Sequence, residues 1–440
     1  MFGYYFTLAL RSFRRNKALT ALMVLAIALG IGASMTTLTV FHVLSGDPIP
    51  QKSDKLFYPR IDPRSKMGFT PGEDPEWQMT RFDAETLLRE ARGDRQALMS
   101  AGNVALEPDK PGLDPFYASS RYTTADFFPM FDVPIAEGRG WTAAEDRARA
   151  RVVVISKKLK EQLFGDESAV GRTLRLEQQD FKVIGVLDEW RPTPRFYDLT
   201  QSRFGDDELL FVPFWTSRDL EMSPNGNMSC WGGSEDTADD DSEGNYGVNA
   251  RCSWLQYWVE LGTPEKVAAY RAYLENYSDQ QRKAGRFERP TNVRLDDVMG
   301  WLDVNGTVPA DVRLQGWLAL GFLFVCLLNT VGLLLAKFLR RSSEIGVRRA
   351  LGATRRTVFL QYLTEAGVIG MAGGALGIVL ALLGLWAVRQ QPTDYASLAT
   401  LDGTMLVVAI AMSLFASLIA GLLPAWRACQ IAPAIQLKSQ

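Results

Sequence analysis

The sequence predicts a membrane protein with four transmembrane α-helices and a large α+β domain between the first and second. Three observations carry this. Four apolar runs approach or exceed the ~20 residues a helix needs to cross a bilayer. The mean hydropathy of the 440-residue chain is only −0.05, too polar for a chain lying mostly in lipid. The polar residues are concentrated between 45 and 313, where no run is long enough to span.

Residues 1–17 place Tyr4, Tyr5, Phe6, Leu8 and Leu10 ahead of Arg11, Arg14, Arg15 and Lys17, the pattern of an interfacial amphipathic helix leading into a span. The first span, 18–44, is too long for a signal-peptide core of about 7–15 residues and reads as an uncleaved anchor. Gly30 and Ser34 lie on its small-residue stripe, where another helix can approach closely. The basic residues before it put the N-terminus inside and residue 45 outside.

The outer region, 45–313, alternates strand-like and amphipathic stretches. Strands are expected near 55–61, 116–122 and 151–155, helices over 82–91, 157–164 and 266–284, and a hairpin over 173–187 turning at Gln178-Gln179-Asp180. Residues 221–252 read as a loop insertion. Pro224-Asn225-Gly226-Asn227 is a turn, and Cys230 and Cys252 bracket an acidic run from Glu235 to Glu243. In an oxidising outer compartment, two cysteines 22 apart in a polar loop are expected to form a disulfide. The acidic run does not match the spacing of a calcium loop and reads as a solvated segment.

The second span is 314–339, with Asn329 and Thr330 expected to face another helix. A basic segment follows at 340–363. The third span, 364–388, carries overlapping small-residue pairs that include Gly370 and Gly374, again a close-packing signal. A short outer loop, 389–402, leads to the fourth span, 403–425, which is expected to end at Pro424, and an inner tail, 426–440.

Several function classes are excluded by composition. His42 is the sole histidine, so the outer region holds neither a histidine metal cluster nor a Ser-His-Asp triad. Net charge is −2 and the arginine clusters sit at span edges, which gives no reason to invoke nucleic acid. No Gly-x-x-x-x-Gly-Lys-Ser/Thr occurs, so the phosphate cradle of an ATPase is missing. No catalytic constellation stands out and an enzyme is not expected.

The most informative stretch lies between the second and third spans. Six arginines fall within 340–358, which places the segment at a membrane surface on the cytoplasmic side. Ser343 is a candidate cap, Glu344 and Arg348 are four apart, and Gly352 is a plausible helix stop. The order Glu344-Ile-Gly-Val-Arg-Arg-Ala-Leu-Gly-Ala-Thr-Arg-Arg356 closely resembles the coupling segment of the FtsX-like permeases, the membrane subunits of the MacB/LolC/LolE/FtsX class of ABC transporters. The resemblance returns in the outer region. Tyr122 to Pro134, Glu137-Gly-Arg-Gly140, Val152 to Ser156, Ala169 to Leu174 and Val183 to Leu187 are similar to the periplasmic core domain of MacB-type permeases. Pro424-Ala-Trp-Arg-Ala428 and the residues after it resemble the family's C-terminal pattern.

This resemblance implies the permease subunit of a MacB-like (type VII) ABC exporter in a Gram-negative inner membrane, with both termini cytoplasmic. It implies a separate ATPase subunit that binds ATP and Mg, since only 17 residues precede the first span. It also implies a second permease subunit, identical or paralogous, together with a periplasmic adaptor and an outer-membrane channel. Glu344, Gly346, Arg348, Arg349 and Gly352 become expected ATPase-coupling residues. A lipoprotein-releasing permease of the LolC/LolE kind, or an FtsX-like regulator of periplasmic hydrolases, remains an alternative.

Overall fold

A computed structural model describes residues 17–232, 244–393 and 395–430. Most of the expected N-terminal amphipathic helix, the acidic run 235–243, Asp394 and the tail beyond 430 lie outside the described residues. The chain divides into two compact units, 46–307 and the helical remainder.

The helical unit holds four long apolar helices: Lys17–Ser45, Ala310–Leu339, Arg355–Arg389 and Gly403–Cys429. Each is long and apolar enough to cross a membrane. Two sequence expectations need correction. The third helix begins at Arg355, inside the stretch read as a connecting segment, because Thr354 caps it by accepting from the Thr357 amide. The fourth helix does not end at Pro424 but runs on to Cys429 with the proline inside it. A proline removes one backbone donor and crowds the preceding turn, which can kink a helix without ending it.

The four helices pack through small residues. A Cβ on Gly30 would lie 3.0 Å from Cys326 and Leu323 on the second helix. The Ser34 hydroxyl donates to the Ala319 carbonyl at 3.0 Å. The third helix uses its two glycine pairs on two neighbours. Gly370 and Gly374 seat Ser417 and Ser413 of the fourth helix, while Gly373 and Gly377 seat Ile27 and Ile31 of the first. Of the expected polar pair, Thr330 is buried and its hydroxyl donates back to the Cys326 carbonyl at 2.8 Å. Asn329 is exposed on the surface of its own bundle and, among the described residues, meets no other helix of this chain.

The inserted unit is built on one mixed sheet. Its main strands, in chain order, are β1 (Leu56–Arg60), β2 (Arg95–Glu107), β3 (Phe116–Thr123), β4 (Ile135–Gly138), β5 (Val152–Ile155), β6 (Thr173–Leu176), β7 (Gln179–Leu187), β8 (Leu210–Pro213), β9 (Cys252–Glu260) and β10 (Arg294–Asp297). Their spatial order is β10-β1-β9-β2-β3-β8-β5-β7-β4, with β6 joining β2 and β7. The β3–β8 and β5–β7 pairs are parallel and the other main-strand pairs antiparallel.

Both faces of the sheet are covered. On β5, Val153 and Ile155 enter one apolar cluster, and Val152 and Val154 enter the other. The second cluster is strongly aromatic, with Phe127, Phe128, Phe131, Trp141, Phe196, Tyr197, Phe211 and Trp258 among its members. Helices at Arg81–Glu90 and Lys157–Phe164 are capped by Thr80 and Ser156, whose hydroxyls accept from the third amide along. The β6–β7 hairpin turns at Glu177-Gln178, both at positive φ, one residue earlier than the sequence reading placed it.

The stretch 221–252 is less loop-like than expected. Pro224–Asn225 pairs with β2, and Ser229–Cys230 pairs with the start of β9. Cys230 and Cys252 stand opposite one another across that ladder and form a disulfide. The bridge is therefore anchored at the start of a fully buried strand, not free in a polar loop.

Candidate coupling site

The turn between the second and third helices is a short helix, Ser342–Ala350, set between two breaks. Arg341 flanks its start in a non-helical conformation, so Ser343 lies within the first turn and is not the capping residue. At the other end Gly352 adopts φ +102°, a left-handed conformation that side chains strain. The Gly352 amide donates to Arg349 and the Ala353 amide to Arg348, which is a Schellman closure of the helix. Gly352 therefore ends the helix, and Thr354 starts the next one.

Each expected coupling residue has a defined place. Glu344 and Arg348 pair along the helix at 3.0 Å, and Arg348 also donates to Gln361 Oε1 of the third helix at 3.1 Å. Arg349 donates to the carbonyl of Cys429, at the end of the fourth helix, at 3.2 Å. Gly346 is buried on the inner face beside Ile345, which joins a cluster containing Phe338, Val358, Tyr362 and Ala425. Both arginines thus anchor the turn to its own chain.

The outer face carries residues that sequence reasoning did not select. Leu351 is 83% exposed and Val347 54%. Ala350, Arg355 and Arg356 are exposed beside them in sequence. The signal was present: Val347 and Leu351 are four apart, one turn along a helix, within an otherwise arginine-rich segment.

The inserted unit offers no comparable chemistry. Among the described residues no group of three or more His, Cys, Asp and Glu side chains is placed to hold a metal ion. Its most polar interior feature is structural. Arg121, fully buried on β3, pairs with Asp198 at 2.6 Å and with Glu208. The Tyr197 hydroxyl donates to Glu208 at 2.6 Å, and Arg195 lies 3.5 Å from the same carboxylate. Burial pushes the Asp198 and Glu208 carboxyls up, but Arg121 together with Thr200 at Asp198, and with Arg195 and Tyr197 at Glu208, holds both below the usual carboxylate range. A cavity of about 790 Å³ is lined by Leu88, Arg89, Asp126, Asp146 and Trp215, among others. Burial, and then the charge of Asp126, pushes Asp146 up to about 7. One Asp146 oxygen accepts from the Ala125 amide at 3.0 Å, and the other has no hydrogen-bond partner.

Two family models agree with this architecture. Residues 20–277 match the model of the MacB-like periplasmic core domain, and residues 317–433 match the FtsX-like permease C-terminal domain. The macrolide export ATP-binding/permease protein MacB of Marinobacter nauticus is 26% identical, over 98% of this chain and 60% of its own length. The pyoverdine export ATP-binding/permease protein PvdT of Pseudomonas aeruginosa is 24% identical, over 97% and 57%. The periplasmic region of MacB from Actinobacillus actinomycetemcomitans aligns with 60% of this chain and 96% of its own, at 15% identity and a TM-score of 0.36. The chain spans about 60% of the length of the curated MacB and PvdT relatives it matches across nearly its full extent. With the inserted domain and the helical C-terminal part both matched, the chain belongs to the family of MacB/FtsX-type ABC transporter permeases.

Proposed function

We propose that this chain is the permease component of a MacB-like exporter. An ATP-hydrolysing partner docks on the turn at 342–356, and its closure on ATP is passed through the helices to the inserted domain, which moves substrate already on the outer side of the membrane. The observation that carries this is the exposure of Leu351 and Val347. A large apolar side chain that is 83% exposed at a polar turn is what a docking knob requires, and the neighbouring arginines give it an electropositive rim. Arg348 and Arg349 act from behind, holding the knob against the third and fourth helices.

In this reading the arginine-rich turn lies on the cytoplasmic side, as the positive-inside tendency favours, and the inserted domain lies in the periplasm of a Gram-negative cell. A second permease subunit, a periplasmic adaptor and an outer-membrane channel complete the exporter in this reading. ATP and Mg belong to the ATPase, because this sequence contains no phosphate-binding loop.

The test is a mild-detergent purification of the full chain from its native membrane, with co-purifying proteins identified. An ABC ATPase is expected with the native protein. Leu351→Asp places a charge at the centre of the contact and should reduce its recovery at least about tenfold, the equivalent of roughly 1.4 kcal/mol. Equal recovery with Leu351→Asp, or no ATPase with the native chain, overturns the assignment.

A further inference from the structure

The corner where the second helix gives way to the turn contains a charge cluster that the docking surface does not use. Lys337, in the last turn of the second helix, has a completely buried side chain. Its ammonium lies 2.7 Å from Oε1 of Glu365, on the third helix, whose side chain is 4% exposed. Arg341, four residues beyond Lys337, lies 3.6 Å from the same oxygen. One carboxylate thus faces two cations, Lys337 in the last turn of the second helix and Arg341 at the break in helical backbone at 340–341. The Phe338 and Tyr362 rings pack beside it with centroids 4.3 Å apart.

Stability does not explain such a cluster. A buried ion pair is expensive to desolvate, and apolar residues of similar size usually serve as well or better. What apolar residues do not supply is a charge attraction that ties the end of the second helix and Arg341 to the third helix across the corner. Without it, the break at 340–341 is the obvious place for the chain to bend.

We infer that Glu365 is a positioning residue for coupling: it braces the corner, so that displacement of the turn by an ATP-hydrolysing partner moves the second helix instead of bending the chain at 340–341. This rests on the reading of the turn as the docking site.

The test uses the full chain co-purified with its ATPase. An environment-sensitive fluorophore is placed at Asp311→Cys, an exposed position at the far end of the second helix. The free cysteines Cys326 and Cys429 are buried. The response to ATP plus vanadate is then compared across a cycle. Glu365→Gln alone strands two cations and should lower the melting temperature by roughly 5 °C or more. Lys337→Met/Glu365→Gln removes one cation with the anion and should recover most of that loss. The double variant should keep ATP hydrolysis, yet its fluorophore response should fall at least about threefold. Stability and transmission would then have separated, which a packing role does not produce.

A native response in the double variant overturns the inference, as does a native complex that hydrolyses ATP with no change at position 311. Should the double variant not fold, Lys337→Arg must retain the response and Lys337→Met must lose it. If no ATPase co-purifies with the native chain, the docking assignment itself has failed, a result distinct from a silent fluorophore in an intact complex.

Discussion

Gly370→Ala adds one methyl group where the third and fourth helices meet. A Cβ there would lie 1.8 Å from Ser417 Cβ, 2.4 Å from its hydroxyl and 3.2 Å from its Cα. Carbon atoms settle at roughly 3.5–4.0 Å, so rotating the serine is not enough and the helix backbones must separate. Overpacking of this kind costs about 1–3 kcal/mol. Separation also stretches the hydrogen bond that Ser413 donates to the Gly370 carbonyl, now 3.1 Å, and such interhelical bonds contribute about 0.6 kcal/mol. Alanine gains up to about 1 kcal/mol in helix propensity over glycine, and a control cancels that term. Gly367→Ala, on the same helix, adds a methyl group with no heavy atom within 4 Å. The two variants should therefore differ by about 2–3 kcal/mol in unfolding free energy, Gly370→Ala being the weaker. Equilibrium unfolding of the full chain in mixed SDS micelles, followed by circular dichroism, measures the difference. Equal stability of the two variants would refute the packing of Gly370 on Ser417.

Two further perturbations address the inserted domain by calorimetry. Asp146 is held near 7 in the folded chain against an ordinary 3.8, so the folded state binds the proton more tightly and this stabilisation fades as pH rises through 7. Asp146→Asn should gain stability over the native chain between pH 5 and 8, by a few kcal/mol at most, and a constant difference across that range would disprove the linkage. Glu208→Gln leaves Arg121 and Arg195 with less anionic charge than they require and should destabilise the domain by about 3–5 kcal/mol at pH 7. Because the Glu208 carboxyl is depressed on folding, that cost should shrink as pH falls through and below the usual carboxylate range, and a cost independent of pH would show the network to be uncharged.

The membrane helices were legible because an apolar run of bilayer length is rarely found outside a bilayer. The turn between the second and third helices was legible as a motif, but its outer face was not. The sequence shows arginines, and only folding reveals that Arg348 and Arg349 are used inward while Leu351 points out. The Lys337–Glu365 pair was hidden for a related reason. Each residue sits near a span edge, where a charge is unremarkable, and the two are far apart in sequence. The central strands β2 and β9 were missed because both faces of the sheet are covered. Cys252–Glu260 is buried at every position, so the alternation that marks a half-exposed strand is absent. Arg95–Glu107 carries Gly102, Asn103 and two serine or glutamine positions that weaken any strand signal. Pro424 misled because it is a reliable stop only where the last turn has no neighbour to hold it, and here Ala425 and Cys429 are buried in the bundle cluster.

The sheet order has a mechanical consequence for the inserted domain. β1 and β10 are antiparallel neighbours, with Phe57 opposite Asp297 and Arg60 opposite Arg294. The chain therefore enters and leaves from the same end of one two-stranded ribbon. Tension that splays the two leads loads this ribbon as a zipper: the bond from the Val298 amide to the Ser53 carbonyl bears the force first, and the rungs from Phe57 and Asp297 onward bear it in turn. Tension along the strands would instead be shared by all four rungs at once. The Arg60–Asp296 ion pair, 2.9 Å long, ties the last residue of β1 back to β10 and resists such peeling. The pairing thus yields to splaying of the leads one link at a time.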